Sequence, residues 1–149
     1  MVEHRHWGKL RLARSQARQA VAKAPEQAGF WRSAGQIEMQ VGNSGQGIKD
    51  LLKSASIYFD RGDLHSAMSV ADEMVAKDPG SIPAHLILGE CQAELLNDAE
   101  AEYHLQIVLD NFPGHPRATE LLRDVHYRLN SQRKLEASGS AIAETLSLL

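Results

Sequence analysis

The sequence predicts an all-α protein, a helix-turn-helix repeat solenoid of about seven helices. Ala67 and Ala101 lie 34 positions apart, and Pro79 and Pro113 are separated by the same distance. A fixed period of this length, with apolar residues at helical spacing inside it, is typical of stacked helical pairs. Aromatic residues make up only 5% of the chain, so the core must be built mainly from aliphatic side chains. That composition favours helices over sheets.

Length and composition predict one domain without a membrane span. A chain of 149 residues can form one hydrophobic core. It contains no run of about 18 apolar residues, and residues 1–10 lack the apolar block of a signal peptide, so we expect a cytoplasmic protein. The single cysteine, Cys91, cannot form an internal disulfide and is expected to be a small buried side chain.

Two helices are predicted before the repeats. Apolar and small residues three or four positions apart predict an amphipathic helix over residues 7–24, which Pro25 ends. A second amphipathic helix follows Pro25 and continues to residue 41. The segment 42–47 contains three glycines and is expected to be a flexible loop between helices.

Two complete helical pairs are predicted over residues 48–115. The first pair turns at Gly62 and ends at Pro79, and the second turns around Asn97 and ends at Pro113. Each pair therefore places its turn and its stop at matching positions of the 34-residue period.

A third first-helix is predicted over residues 116–137, because Pro116 is tolerated in the opening turn of a helix. The sequence Ser138-Gly139-Ser140 is then expected to break the chain before a flexible tail or docking helix over 138–149.

Several of these residues resemble the tetratricopeptide repeat family. One copy carries Leu88-Gly89, Ala101, Val108 and Pro113, and the other carries Ala55, Tyr58, Gly62-Asp63, Ala67, Ala71 and Pro79. The resemblance covers roughly residues 7–130 and implies a right-handed superhelix. Residues 7–24 align with a second helix that lacks its first, and the repeat that includes 28–47 is degenerate because no second helix is apparent for it.

The resemblance also implies a binding surface, because first helices in this family line a groove that takes an extended or helical peptide. Carried onto this sequence, the groove positions are Lys49, Leu52, Ser56, Phe59, Asp60, Leu86, Glu90, Ala93, Glu94, Arg117, Glu120, Asp124, Tyr127 and Arg128. The members of the family that grip a C-terminal carboxylate use several basic residues, of which only Arg117 is kept here. We therefore do not expect that binding mode.

Nucleotide and metal sites are not expected. The glycine run has the spacing of a phosphate-binding loop, but Ile48 separates Gly47 from Lys49, and Asp50 stands where a hydroxyl is required. Among the seven histidines only His4 and His6 are close in sequence, without cysteine or acidic partners at ligand spacing. The acidic residues of 90–102 are expected to form a solvated helix face and not an acid–base pair. We therefore predict no catalytic residue and no cofactor.

The charge is unevenly distributed along the chain. Residues 1–32 hold seven Lys or Arg against two acidic residues, which gives +5, and residues 50–110 hold twelve acidic residues against three basic ones, which gives −9. The two regions can attract each other within or between chains. The basic N-terminal helix with Trp7 is the only candidate surface for nucleic acid, and a net charge of −3 argues against that partner.

These observations predict a non-enzymatic module that binds a peptide or helix of a partner protein. The unpaired helices at the two ends are expected to expose an apolar stripe. The chain's own tail could cover it, residues 116–130 of one copy could pair with 7–24 of the next in self-assembly, or the chain could be a fragment of a longer array. The alternatives are the regulatory repeat region of a larger enzyme and a small secretion-type chaperone.

Overall fold

The computed structural model describes the backbone of residues 2–149 and the side chains from residue 5 onward. Over this range it contains seven helices: α1 Val2–Lys23, α2 Ala28–Gln40, α3 Ser44–Asp60, α4 Leu64–Lys77, α5 Ile82–Glu94, α6 Asp98–Asn111 and α7 Pro116–Ser147. The predicted fold class is confirmed. No helix of the described residues is long and apolar enough to span a membrane.

Local sequence explains where the helices begin and end. The side chain of Asp63 accepts a hydrogen bond from the backbone N–H of Ser66. Hydrogen bonding to the side chain and then the backbone of Ser66 lowers the pKa of the Asp63 carboxyl. Ser81 caps α5 in the same way. At the other end of α2 and α3, Gly42 and Gly62 adopt positive φ angles of 84° and 77°, the left-handed conformation that closes a helix.

The helices pack in chain order as a solenoid. Each helix contacts the next, and α3 also contacts α5, as α5 contacts α7. The core has two parts, one centred on α3, α4 and α5 and the other on α5, α6 and α7. Small residues allow the helices to approach closely. At Gly89, for example, an added Cβ would lie only 2.8 Å from Cγ of Leu105. Ala67 and Ala101, the alanines of the 34-residue period, are fully buried.

Helix α3 forms a pair with both of its neighbours, which explains the degenerate repeat. Its most extensive packing is against α2, followed by its packing against α4. Gly35 and Gly47 are 12 positions apart, as are Gly89 and Ala101. A Cβ at Gly35 would lie 2.8 Å from Cγ of Leu51 and 3.0 Å from the carbonyl oxygen of Gly47. Thus α3 is the second helix for α2 and the first helix for α4.

Two predictions about breaks in the chain are wrong. The segment 42–47 is not a flexible loop, because α3 begins at Ser44 and contains Gly47, which is buried. Gly47 is needed there, since a Cβ would lie 2.6 Å from Sδ of Met39. The Ser138-Gly139-Ser140 sequence does not end α7, which continues to Ser147. In the segment 42–47, packing outweighs the low helix propensity of glycine.

An ion-pair network fixes α1 to α2 and α3. Glu38 and Asp50 are each only 1% exposed. Arg14 donates from Nε to Oε1 of Glu38 at 2.8 Å, and Arg18 donates to both carboxylates. Burial raises the pKa of Glu38, but the two arginines outweigh it, and the net pKa is lowered. The expected attraction between the basic N-terminal region and acidic residues further along the chain is therefore present within the molecule.

Helix α7 lacks the small residue that allows α6 to pack closely on α5. The residue 34 positions after Gly89 is Arg123, which is exposed. Because even a Cβ at Gly89 would collide with Leu105, a further helix cannot pack on α7 as α6 packs on α5. We therefore do not propose pairing between residues 116–130 of one copy and 7–24 of another.

Candidate partner-binding cleft

A cleft of ≈ 320 Å³ lies between α5 and α7, the first helices of successive repeats. We call it the α5/α7 cleft, and its lining residues are Glu90, Ala93, Glu94, Leu96, Arg117, Leu121, Asp124 and Arg128. Six of these eight belong to the predicted groove, and Leu96 and Leu121 are additions from the structure. The predicted groove residues of α5 and α7 are therefore largely brought together.

The helical period explains why these side chains share one surface. The four lining residues of α7 follow each other at spacings of four, three and four positions, which places them on one helix face. Ala93 is 9% exposed and Leu121 is half-buried, and both contact the second part of the core. The cleft therefore has an apolar floor supported by the core beneath it.

Both arginines of the cleft are held by ion pairs. Nη2 of Arg117 donates to Oε1 of Glu90 at 2.5 Å and links α7 to α5. Nη2 of Arg128 donates to Oδ1 of Asp98 at 2.8 Å, and its Nε donates to the same carboxylate. Hydrogen bonding to these carboxylates raises the pKa of both guanidinium groups. The cationic groups of the cleft are thus already engaged: Arg117 links its two walls, and Arg128 links α7 to the start of α6.

The remaining charges of the cleft are negative. Glu94 and Asp124 are exposed on opposite walls. Among the described side chains, neither carboxylate forms a salt bridge. The open surface of the cleft therefore combines apolar contacts with two carboxylates, which favours a ligand that carries positive charge.

Leu96 stands at the rim of the cleft in a strained conformation. Its φ is 60°, whereas the other described residues with positive φ are Gly42, Gly62 and Gly114. Leu96 follows the end of α5 as Gly62 follows the end of α3, with the same pattern of backbone hydrogen bonds. A left-handed conformation costs a leucine roughly 1–2 kcal/mol. Leu96 is nevertheless 69% exposed, so its side chain does not repay that cost by burial within the chain.

The sequence contained a signal for Leu96 that the groove prediction did not use. Gly62-Asp63 and Leu96-Asn97 are separated by the 34-residue period. A large apolar residue therefore stands where the preceding repeat has glycine. Strained residues of this kind concentrate at functional sites, because selection for binding can maintain them against their conformational cost. The structure thus adds Leu96 to the candidate binding residues.

The predicted groove residues outside the cleft are distributed over α3, α5 and α7. On α3, Lys49, Ser56 and Asp60 are exposed and Leu52 and Phe59 are half-buried. The remaining predicted positions, none of which lines the cleft, are Leu86, Glu120 and Tyr127. Leu86 packs against the second part of the core, Glu120 pairs with Arg117, and Tyr127 is 75% exposed. A role for these eight residues stays a prediction.

A histidine pair lies between α5 and α6. Nδ1 of His85 and Nδ1 of His104 are 3.0 Å apart, and Nε2 of His85 is 2.7 Å from the carbonyl oxygen of Pro79. His85 is 4% exposed and therefore buried between the helices. Burial and the neighbouring His85 lower the pKa of His104, although Glu100 and Asp72 oppose the shift. The pair joins the two helices of one repeat.

Sites for other chemistry were also predicted to be absent. Within the side chains that the structure describes, no group of three His, Cys, Asp or Glu residues could hold a metal ion. The side chain of His4 lies outside them, so the structure does not test the pair that it forms in sequence with His6. Cys91 is buried, as predicted, and its burial raises the pKa of the thiol to about 12. Such a thiol is unreactive near neutral pH.

Comparison with known families agrees with the packing. The sequence pattern described as "Tetratricopeptide repeat" matches residues 58–129, which include α4, α5 and α6 and the part of α7 that lines the cleft. This part of the chain is therefore similar to tetratricopeptide repeats in sequence. A comparison with curated protein sequences gives no match.

Two structures of human IFIT1 are similar to this chain in fold. The dimer with PPP-AAAA aligns with a TM-score of 0.51 and 19% identity over 81% of this chain. The dimer with m7Gppp-AAAA aligns with a TM-score of 0.50 and 18% identity, again over 81% of this chain. The alignments cover 32% and 33% of the human chains, so this chain spans about a third of their length.

Proposed function

We propose that the protein is a non-enzymatic interaction module whose α5/α7 cleft binds an amphipathic, basic segment of a partner protein. The observation that supports this most strongly is Leu96, an exposed apolar residue in a left-handed conformation at the rim of the cleft. Within the chain its strain has no compensating contact of comparable size. Burial of Leu96 against a partner would supply one.

The chemistry of the ligand follows from the lining. Leu96, Ala93 and Leu121 offer apolar contacts, and Glu94 and Asp124 offer carboxylates that are not held by arginine. An extended or helical segment with one or two apolar side chains and a flanking Lys or Arg would match both features. Each new exposed ion pair would contribute about 0.2–1 kcal/mol, so the apolar contacts would provide most of the affinity.

The charge of the cleft also argues against phosphate-bearing ligands. The human IFIT1 structures are those of a dimer with PPP-AAAA or with m7Gppp-AAAA. In this chain, Glu94 and Asp124 would repel phosphate groups placed in the cleft. We therefore propose a protein partner and do not transfer that type of ligand.

Selection of peptides from a random display library on the full chain would test the proposal. We expect the selected peptides to share an apolar residue next to Lys or Arg, and to bind with an affinity that falls as ionic strength rises. Asp124→Lys removes one attraction and adds a repulsion, so it should weaken binding roughly tenfold. The matched control is Asp110→Lys, because Asp110 is an exposed acid on α6 that does not line the cleft.

Two results would contradict the proposal. Selected peptides without basic residues would show that the carboxylates do not determine the ligand. Equal losses of affinity in Asp124→Lys and Asp110→Lys would show that only the total charge of the protein matters, and that the cleft has no particular role.

The alternative functions differ in the partner and not in the cleft. A regulatory region of a larger enzyme would bind a segment of its own catalytic part, and a secretion-type chaperone would bind an exported chain. A comparison of the selected peptides with the sequences of proteins from the same cells would distinguish these functions. A cytoplasmic location remains our expectation.

A further inference from the structure

The last part of α7 is a helix whose side chains are all exposed. We call residues 132–149 the C-terminal extension, and every one of them is exposed. The side-chain hydrogen bonds of this segment are local, for example that of Thr145 to the carbonyl oxygen of Ala141. An isolated helix of about 16 residues is marginal in water, and Gly139 near its centre weakens it further. A packing partner would account for its helical conformation.

The large apolar residues in the helical part of the extension, together with Gly139, form one stripe with a symmetric spacing. Leu135 and Gly139 are four positions apart, Gly139 and Ile142 three, and Ile142 and Leu146 four. Alternation of four and three is the period of a helix seam that pairs with another helix. The order four, three, four is unchanged when the chain direction is reversed. Such a stripe is complementary to itself in an antiparallel arrangement.

We propose that two copies of this chain dimerise by antiparallel pairing of their C-terminal extensions. Leu135 of one copy would then lie opposite Leu146 of the second copy, and the small Gly139 would receive Ile142. Leu135, Ile142 and Leu146 are 74%, 61% and 63% exposed, which leaves most of their surface available for this contact. The arrangement is a two-fold, isologous interface that closes at two copies.

Charge and size are compatible with a weak dimer. The extension contains Arg133, Lys134, Glu136 and Glu144, so its net charge is zero and two copies do not repel each other. At 1.5 Å per residue, the helical part from 132 to 147 is about 24 Å long. Contact between two helices of that length lies at the small end of specific interfaces, which corresponds to a transient association. The interface is separate from the lining of the α5/α7 cleft.

Sedimentation equilibrium of the full chain would measure the association. We expect a monomer at about 1 µM and substantial dimer at about 300 µM, as for other small interfaces. Ile142→Glu places a charge in the seam of both copies and should raise the dissociation constant at least tenfold. The control is Ala137→Glu, because Ala137 lies away from the stripe and is exposed, and it should change the constant less than twofold.

Cysteine cross-linking would establish the direction of pairing. Leu135→Cys and Leu146→Cys chains should form disulfide dimers when the two variants are mixed, and neither variant should do so alone. Cys91 does not interfere, because it is buried. The unmodified chain should remain uncross-linked.

Three results would overturn the inference. The chain could stay monomeric to about 300 µM, the concentration at which the proposed small interface requires substantial dimer. The dimer could form equally well with Ile142→Glu, which would place the interface elsewhere. Each cysteine variant could cross-link with itself, which would indicate parallel pairing. None of these results bears on peptide binding in the cleft, and the Leu96→Gly variant should dimerise normally.

Discussion

Replacement of Leu96 by glycine separates a structural role of this residue from a role in binding. Glycine adopts the left-handed conformation without the steric cost of a leucine side chain, so this term should raise the free energy of unfolding by about 1–2 kcal/mol. Glycine makes the unfolded chain more flexible, which costs about 0.5–1 kcal/mol. Leu96 is 69% exposed, so its buried third contributes about 0.5–0.9 kcal/mol on the scale of full leucine burial. These terms nearly cancel, and the free energy of unfolding should change by less than about 1 kcal/mol.

The effect on binding should be larger and in one direction. Burial of the exposed 69% of Leu96 by a ligand would contribute about 1–2 kcal/mol. Its removal should weaken binding of a selected peptide by about five- to thirtyfold. Urea denaturation would give the stability, and fluorescence anisotropy of the labelled peptide would give the dissociation constant.

The reciprocal substitution is the control. Gly62→Leu places a leucine in the same left-handed conformation, and the space around Gly62 is open. It should destabilise the chain by about 1 kcal/mol and leave peptide binding unchanged. A loss of about 2 kcal/mol or more in Leu96→Gly, the range of a large-to-small change in a core, would contradict the proposed role of Leu96, as would unchanged affinity.

Three further predictions concern the fold. Gly35→Ala should destabilise the chain by about 1 kcal/mol in urea, because overpacking between α2 and α3 outweighs the helix propensity gained, while the open Gly8→Ala control should stabilise it by about 0.5–1 kcal/mol; equal effects would contradict the dual role of α3. Asp50→Ala should lower the free energy of unfolding by about 1–3 kcal/mol, because Arg18 loses its hydrogen bonds to Asp50 and keeps those to Glu38. A smaller loss in thermal denaturation would show that the network does not stabilise the fold. The pKa of His104 is lower in the folded chain than in the unfolded chain, so the unfolded chain binds a proton more readily. The free energy of unfolding should therefore decline as pH falls below about 6.5, and His104→Gln should reduce that decline. An identical pH profile in the variant would exclude His104 as the source.

The period of 34 was sufficient to predict the helical pairs, because turns and close contacts recur at fixed positions. Gly62, Ala67 and Ala101 occupy the structural positions that the repeat requires. The two failures came from local reasoning about glycine. Gly47 lies inside α3 because its missing side chain admits α2, and that requirement depends on a residue 12 positions away, Gly35. The signal was present in the sequence, since the same spacing joins Gly89 to Ala101.

The candidate site was only partly predictable for a different reason. Family resemblance identifies the first helices as groove walls. The structure places five of the residues predicted on this basis in one cleft: Glu90, Glu94, Arg117, Asp124 and Arg128. It could not show which charges remain open, because ion pairs to Glu90 and Asp98 depend on the distance between helices. Long side chains such as arginine reach several alternative partners, and only the packed structure selects among them.

An NMR titration of the ¹⁵N-labelled full chain with a selected basic peptide tests the central proposal most directly. We expect chemical shift changes concentrated at the end of α5 and its turn, over residues 90–98, and on the lining face of α7, over residues 117–128. Residues of α1 and α2 should be unaffected. Changes centred on α1 and α2, or on the C-terminal extension, would contradict the assignment of the α5/α7 cleft as the binding site.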